Sequence, residues 1–170
     1  TGAQPGAALF FGKLLCKVIA AFKGDDYRST FVDNMAFGGY NKRFEPARTD
    51  KDWLTRDEKE VDAYLANPWC TFRFTVNAYY HMFCGIEYAQ KKGNIEKIPK
   101  DLPLYLVAGS DDPVGNFGKG VENVAKTYRE CGIKDVSLKL YEKDRHEILN
   151  ELDRKVVYED ILAWVEAHLL

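Results

Sequence analysis

The chain has 170 residues, 46% of them hydrophobic, and a formal net charge of −2. That length is one domain or a large part of one, and the apolar content is too high for a disordered chain. The mildly acidic balance argues against a nucleic-acid-binding surface, which would be basic, and no run of like charge is long enough to form a tail.

Cys16, Cys70, Cys84 and Cys131 lie far apart without a CxxC pair, and there are only three histidines. Neither a zinc spacing nor a disulfide framework follows, and the cysteines read as reduced, packed thiols of a cytosolic protein. The chain begins Thr-Gly, with no basic n-region. That start is expected of a processed or truncated product, or of a cloning boundary.

Residues 1–95 read as a helical region and residues 96–170 as strand–helix–strand–helix. Residues 7–22 are apolar nearly all round, with Lys13 and Lys17 on one helical face. They predict a mostly buried helix or a lid helix facing an acyl chain, and are too short and too charged for a stable membrane span. In 25–46, Tyr27, Phe31 and Met35 have helical spacing and Gly38-Gly39 is a stop. In 49–68, Thr55 is the expected N-cap, with Glu58 completing a capping box and Val61, Tyr64 and Leu65 turned inward. Residues 70–94 are aromatic-rich and predict a helix, whose large side chains either pack or cover a pocket.

Pro99 and Pro103 mark a boundary. "LPLYLVAG" is an apolar run ending on glycine, the pattern of a strand buried on both faces. Residues 116–133 predict an amphipathic helix stopped by Gly132, and "VSLKLY" (136–141) predicts a second strand. A polar loop, 141–151, leads into a last helix whose apolar side carries Val156, Val157, Ile161, Leu162, Trp164, Val165 and Leu169. This order implies two parallel strands joined by a right-handed crossover.

Functional groups of parallel sheets sit just past the carboxyl ends of the strands. Asp111 and Asp112 follow the first strand and His146 follows the second. One crossover separates them, so both loops open on the same sheet edge and a carboxylate can meet an imidazole. Such a pair makes a base, because the carboxylate fixes the tautomer and supports the imidazolium that forms. The plain alternatives are an aspartate that serves a turn and a histidine that is merely solvated. "GSDDPVG" lacks the Lys-Ser/Thr of a phosphate loop, no GxGxxG occurs, and no second acidic or histidine cluster suggests a metal. No cofactor is expected.

"LYLVAGSDDPVG" followed by "LYEKDRHEILNE" resembles the C-terminal end of an α/β-hydrolase. The likeness is to the monoacylglycerol lipase and lysophospholipase branch, which is similar to the serine aminopeptidase-like hydrolases. In that branch the strand ends in Gly-x-x-Asp. Counting from Gly109, the resemblance implies Asp112 as the triad acid, with Asp111 a turn or helix-cap residue. It implies His146, in "RHEILNE", as the base, with Glu147 capping the last helix or orienting the loop. "DWLTRD" (52–57) and "VDAYLANP" resemble the cap of bacterial members.

The family's nucleophile stands in G-x-S-x-G, a motif absent from these 170 residues. Ser29, Ser110 and Ser137 have the wrong surroundings for that role. The resemblance therefore implies the C-terminal part of a serine ester hydrolase: a helical cap (1–95) and the last two strands with flanking helices (96–170). It implies an ester or lipid substrate, with Phe10, Phe11, Phe37, Phe72, Phe74 and Tyr79 as candidate lining. The partner would be the N-terminal portion of the same hydrolase, or another copy. A lipid-binding fragment without catalysis, and a peptidase on the same scaffold, are the rival readings.

Overall fold

A computed structural model describes residues 3–169. Helix α1 (Gly6–Lys23) buries a narrow stripe, Leu9, Gly12 and Cys16, against α4 (Val76–Gln90). The two helices touch closely because residue 12 is glycine: a Cβ there would meet the Phe83 ring at 2.9 Å. Lys13 donates to Glu87 at 2.7 Å, and the Lys17 ammonium lies over the Tyr80 ring, so the lysine face also runs along α4. Phe10, Phe11, Leu14, Val18 and Phe22 stay exposed, so the mostly buried helix expected from composition is not what forms. Apolar residues all round a helix do not reveal which stripe a neighbour covers.

Ser29 caps α2 (Thr30–Phe37) by accepting from the Val32 amide, and Gly38 ends it. Tyr27 therefore precedes the helix, while Phe31 and Met35 are exposed on it. A 3-10 turn, Tyr40–Phe44, follows.

Helix α3 (Glu58–Ala66) is capped by Asp57, whose side chain accepts from the Lys59 amide. The capping box expected at Thr55 does not form. The Thr55 hydroxyl is buried, accepts from the Asp57 amide and donates to the Asn150 carbonyl. Val61 is buried, but Leu65, expected inward, is exposed. Residues 70–75 are not helical, and Thr75 caps α4. A single turn, α5 (Lys92–Ile95), leads to the boundary prolines.

Strands β1 (Leu104–Gly109) and β2 (Val136–Tyr141) run parallel, in register from Leu104 opposite Val136 to Gly109 opposite Tyr141. Side-chain alternation divides the sheet's two faces. Leu104, Leu106, Val136 and Leu138 pack with Ala125 of α6 (Lys119–Glu130). Val107 and Tyr141 pack with Val157 and Ile161 of α7 (Arg154–Ala167), and Tyr105 stacks on Trp164. Helix α6 starts later than the periodicity suggests, because Asn116, Phe117 and Gly118 all take positive φ in a left-handed turn. Gly132 (φ +89°) ends it as expected. The helical cap followed by a parallel strand–helix–strand–helix unit is the partial α/β arrangement expected from the sequence. No helix among the described residues is long and apolar enough to cross a membrane.

Candidate active site

Two loops leave the same edge of the sheet. After β1 the chain turns at once: the Phe117 amide returns to the Asp112 carbonyl at 2.8 Å. The Asp112 carboxylate, buried at 2% exposure, accepts from the Val114 amide at 2.8 Å. The side-chain bond in this loop is made by Asp112, while Asp111 lies, as expected, within the turn that the Asp112 amide closes on the Gly109 carbonyl at 3.3 Å. The Asp111 side chain is half-buried, 4.0 Å from the Arg43 guanidinium.

The loop after β2 is laid directly onto the first. Ser110 donates its amide to Tyr141, Asp111 donates its amide to Asp144, and the Lys143 amide donates to the Ser110 hydroxyl. Gly109 makes this approach possible. A Cβ on it would stand 2.0 Å from the Asp144 carbonyl oxygen and 2.3 Å from that of Arg145.

His146 Nδ1 then lies 3.2 Å from each Asp112 oxygen. With Asp112 ionised, Nδ1 carries the proton and donates it, leaving the Nε2 lone pair free to act as a base. Burial pushes the Asp112 carboxyl up, but the His146 hydrogen bond and charge and the Val114 amide outweigh it and hold it below its ordinary value. Burial and the Asp112 charge push the Tyr40 phenol up.

The cap supplies the other walls. The Trp53 ring stands 5.2 Å from the His146 ring, and Tyr40 packs on Trp53 at 5.0 Å. The His146 amide donates to the Trp53 carbonyl and the Glu147 amide to the Leu54 carbonyl. The Arg145 guanidinium donates to the Asp52 and Thr55 carbonyls. Glu147 accepts from Asn150 and does not cap α7. Glu151 also holds the loop, accepting from the Arg145 amide at 2.8 Å and from Arg56.

Sequence reasoning singled out none of Trp53, Arg56, Asp144 and Glu151 by function. Trp53 and Arg56 stand in the "DWLTRD" stretch, which read as cap without a stated job, and Asp144 and Glu151 in "LYEKDRHEILNE", where only His146 and Glu147 were given roles. Asp144, Glu151 and Asp153 bring carboxylate oxygens within 4.8 Å of one another, a set able to hold a cation. Arg56 already bonds to all three.

A cavity of about 780 Å³ lies between the cap helices and β1, lined mainly by apolar side chains that include Phe11 and Phe37. Its lining includes Tyr40, which packs on Trp53, and Val114, whose amide donates to Asp112. Phe10, Phe72, Phe74 and Tyr79 do not line it. Phe10 is exposed, Phe72 packs on Phe74 and Phe74 on Tyr79, and Tyr79 is buried, donating its hydroxyl to Asp33. Of the serines, Ser29 serves as a helix cap, Ser110 joins the two loops, and Ser137 sits within β2.

The family model described as Serine aminopeptidase, S33, matches residues 8–153. The chain belongs to that serine aminopeptidase family. A monoacylglycerol lipase of Mycolicibacterium smegmatis is 28% identical over 123 residues, 71% of this chain and 40% of the lipase. A highly thermostable carboxyl esterase from Bacillus coagulans, solved in complex with glycerol, is 26% identical with a TM-score of 0.87, over 98% of this chain and 54% of the esterase. A lipase in an open form is 25% identical with a TM-score of 0.78, over 94% of this chain and 52% of the lipase. This member of the serine aminopeptidase family spans about half the length of the relatives it matches.

Proposed function

We propose that the chain is the acid- and base-bearing portion of a serine hydrolase that cleaves carboxylic esters of the lysophospholipase or monoacylglycerol lipase type. The observation that carries this reading is the bond from His146 Nδ1 to the buried Asp112 carboxylate. In it His146 Nε2 takes the proton of a serine hydroxyl as the oxygen attacks the ester carbonyl. It then returns that proton to the leaving alcohol, while Asp112 supports the imidazolium between the two steps. The serine lies on a portion outside these residues. Supporting this are the absence of G-x-S-x-G here and the half-length match to relatives. Residues 1–95 act as the cap and 96–170 as the end of the catalytic core, in a cytosolic protein whose four cysteines are free.

The test uses the complete hydrolase and a short acyl ester. Asp112→Asn and His146→Ala each lose about a hundredfold or more in kcat/KM, the scale of general-base catalysis. Asp111→Asn changes little, and equal losses at both aspartates sink the assignment. The 170 residues alone show no turnover.

The apolar cavity supports a second reading, a lipid-binding module without catalysis. A fluorophosphonate probe separates the two: labelling of a nucleophile-bearing portion supports the hydrolase. No labelling, together with lipid found on the protein by mass spectrometry, supports the binder. Comparing ester with amide substrates decides whether the enzyme is a peptidase on the same scaffold.

A further inference from the structure

We infer that Arg56 is a positioning residue for His146, acting from the cap through Glu151 and Asp144. The inference rests on the reading of His146 as the base.

Between Tyr141 and Ile148 the His146 loop has no helix or strand of its own. Its anchors therefore come from elsewhere, and cap residues 52–56 each supply one. Glu151, fully buried, is saturated: Oε1 accepts from the amides of Arg56 (3.1 Å) and Arg145 (2.8 Å), and Oε2 from Arg56 Nε (2.9 Å) and the Leu152 amide (3.3 Å). One carboxylate thus ties the residue beside the base to the cap arginine. Asp144, two residues before His146, is also fully buried, and its Oδ1 accepts from Arg56 Nη2. Its Oδ2 has no partner. Arg56 Nη2 also donates to Asp153 at 2.7 Å.

Two arginines cross at this seam. The cap's Arg56 reaches into the loop, and the loop's Arg145 reaches back to cap carbonyls, its guanidinium 4.1 Å from the Phe44 ring. Their roles differ. Arg145 is matched to neutral carbonyls, whereas Arg56 supplies positive charge to carboxylates that cannot be hydrated where they are. Without it, the buried Glu151 and Asp144 lose the group that bonds both to the cap, and the loop they hold loosens. Arg56 is absent from the cavity lining and does not touch Asp112 or His146. Its loss therefore displaces the base without altering the surface a substrate meets.

The experiment compares Arg56→Ala, Arg56→Lys and His146→Ala in the complete hydrolase, measuring kcat and KM on a short acyl ester. It also follows the downfield proton resonance of His146 Nδ1–H. Arg48→Ala is the control, since Arg48 pairs with exposed Asp62 in the cap and bonds nothing in the loop. Arg56→Ala lowers kcat by about a hundredfold, the cost of a base misplaced by roughly an ångström. KM stays within about twofold, since no uniform binding is removed, and the His146 resonance shifts or broadens. Arg56→Lys, which keeps the charge but not the fork, recovers part of kcat. Arg48→Ala matches the wild type.

A folded Arg56→Ala with wild-type kcat and an unmoved resonance overturns the inference. If Arg56→Ala does not fold, Arg56→Lys decides by the same two readouts. Activity retained by His146→Ala breaks the underlying reading of the base instead, so the two failures are distinct.

Discussion

Gly109→Ala should disturb the loop that carries His146 from below. The new methyl group would meet the Asp144 carbonyl oxygen at 2.0 Å and the Arg145 carbonyl oxygen at 2.3 Å, where ordinary contact begins at 3.4 Å. Both obstacles are backbone, so rotating a side chain does not relieve the clash. The loop has to retreat by about 1.4 Å in a packed interior. That movement breaks the bond from the Asp111 amide to Asp144 and carries His146 away from Asp112, now 3.2 Å distant and already at the long end of the hydrogen-bond range. Overpacking costs about 1–3 kcal/mol and the lost backbone bond about 1 kcal/mol more, for a total near 2–4 kcal/mol. Urea unfolding followed by circular dichroism reads this as a midpoint lowered by about 1 M or more at ordinary m-values. Gly39→Ala is the control: nothing lies within 4 Å of the added carbon, and its effect should be under about 0.5 kcal/mol. Equal midpoints for the two variants would refute the claim that the loops are held together at Gly109.

Thr55→Val removes a buried hydroxyl that joins the Asp57 amide to the Asn150 carbonyl, and should cost about 1–3 kcal/mol in thermal or urea unfolding. Burial and the neighbouring Glu151 and Asp153 charges push the Asp144 carboxyl up to about 7, against the pull of Arg56. The folded protein therefore holds that proton more tightly than the unfolded chain. Stability from this group is complete below about pH 4 and is lost as pH rises through about 7. Urea midpoints at several pH values should show that decline, and Asp144→Asn should flatten it. Asp112 has the opposite sign. Its carboxyl is held low, so its contribution is present above the unfolded value near 4 and fades as pH falls through the folded one. Asp112→Asn should remove that acid-side loss.

The sheet and the meeting of its two loops were legible because they follow from local pattern plus topology. An apolar run ending at Gly109, a second at 136–141 and one intervening helix leave few arrangements. Asp112 and His146 then come together as neighbours in space although they are 34 residues apart. The cap was legible only as helices. Its N-caps at Ser29, Asp57 and Thr75 compete with other Ser, Thr and Asp residues nearby, and Thr55 had the right spacing but is taken by Asn150. The aromatic residues misled in a similar way. Composition marks Phe72, Phe74 and Tyr79 as lining candidates, yet which aromatic reaches a cavity depends on the packing of α1 against α4. The seam of Arg56, Asp144 and Glu151 spans 88 to 95 residues of sequence, and no periodicity reports such a contact.

The register from Leu104–Val136 to Gly109–Tyr141 has a consequence for how the chain can vary. The last rung of the ladder sets a common origin for both loops, with Asp112 three positions and His146 five positions beyond it. Helix α6 lies behind that origin, so residues added or removed at its C-terminal end, around Gly132, leave the distance from rung to acid and from rung to base unchanged. A single residue inserted between Gly109 and Asp112, or between Tyr141 and His146, resets one count and not the other. Length changes should therefore be tolerated in the crossover and excluded from two short windows of three and five residues past the strands, which gives a practical rule for recombining this segment with other chains of the same fold.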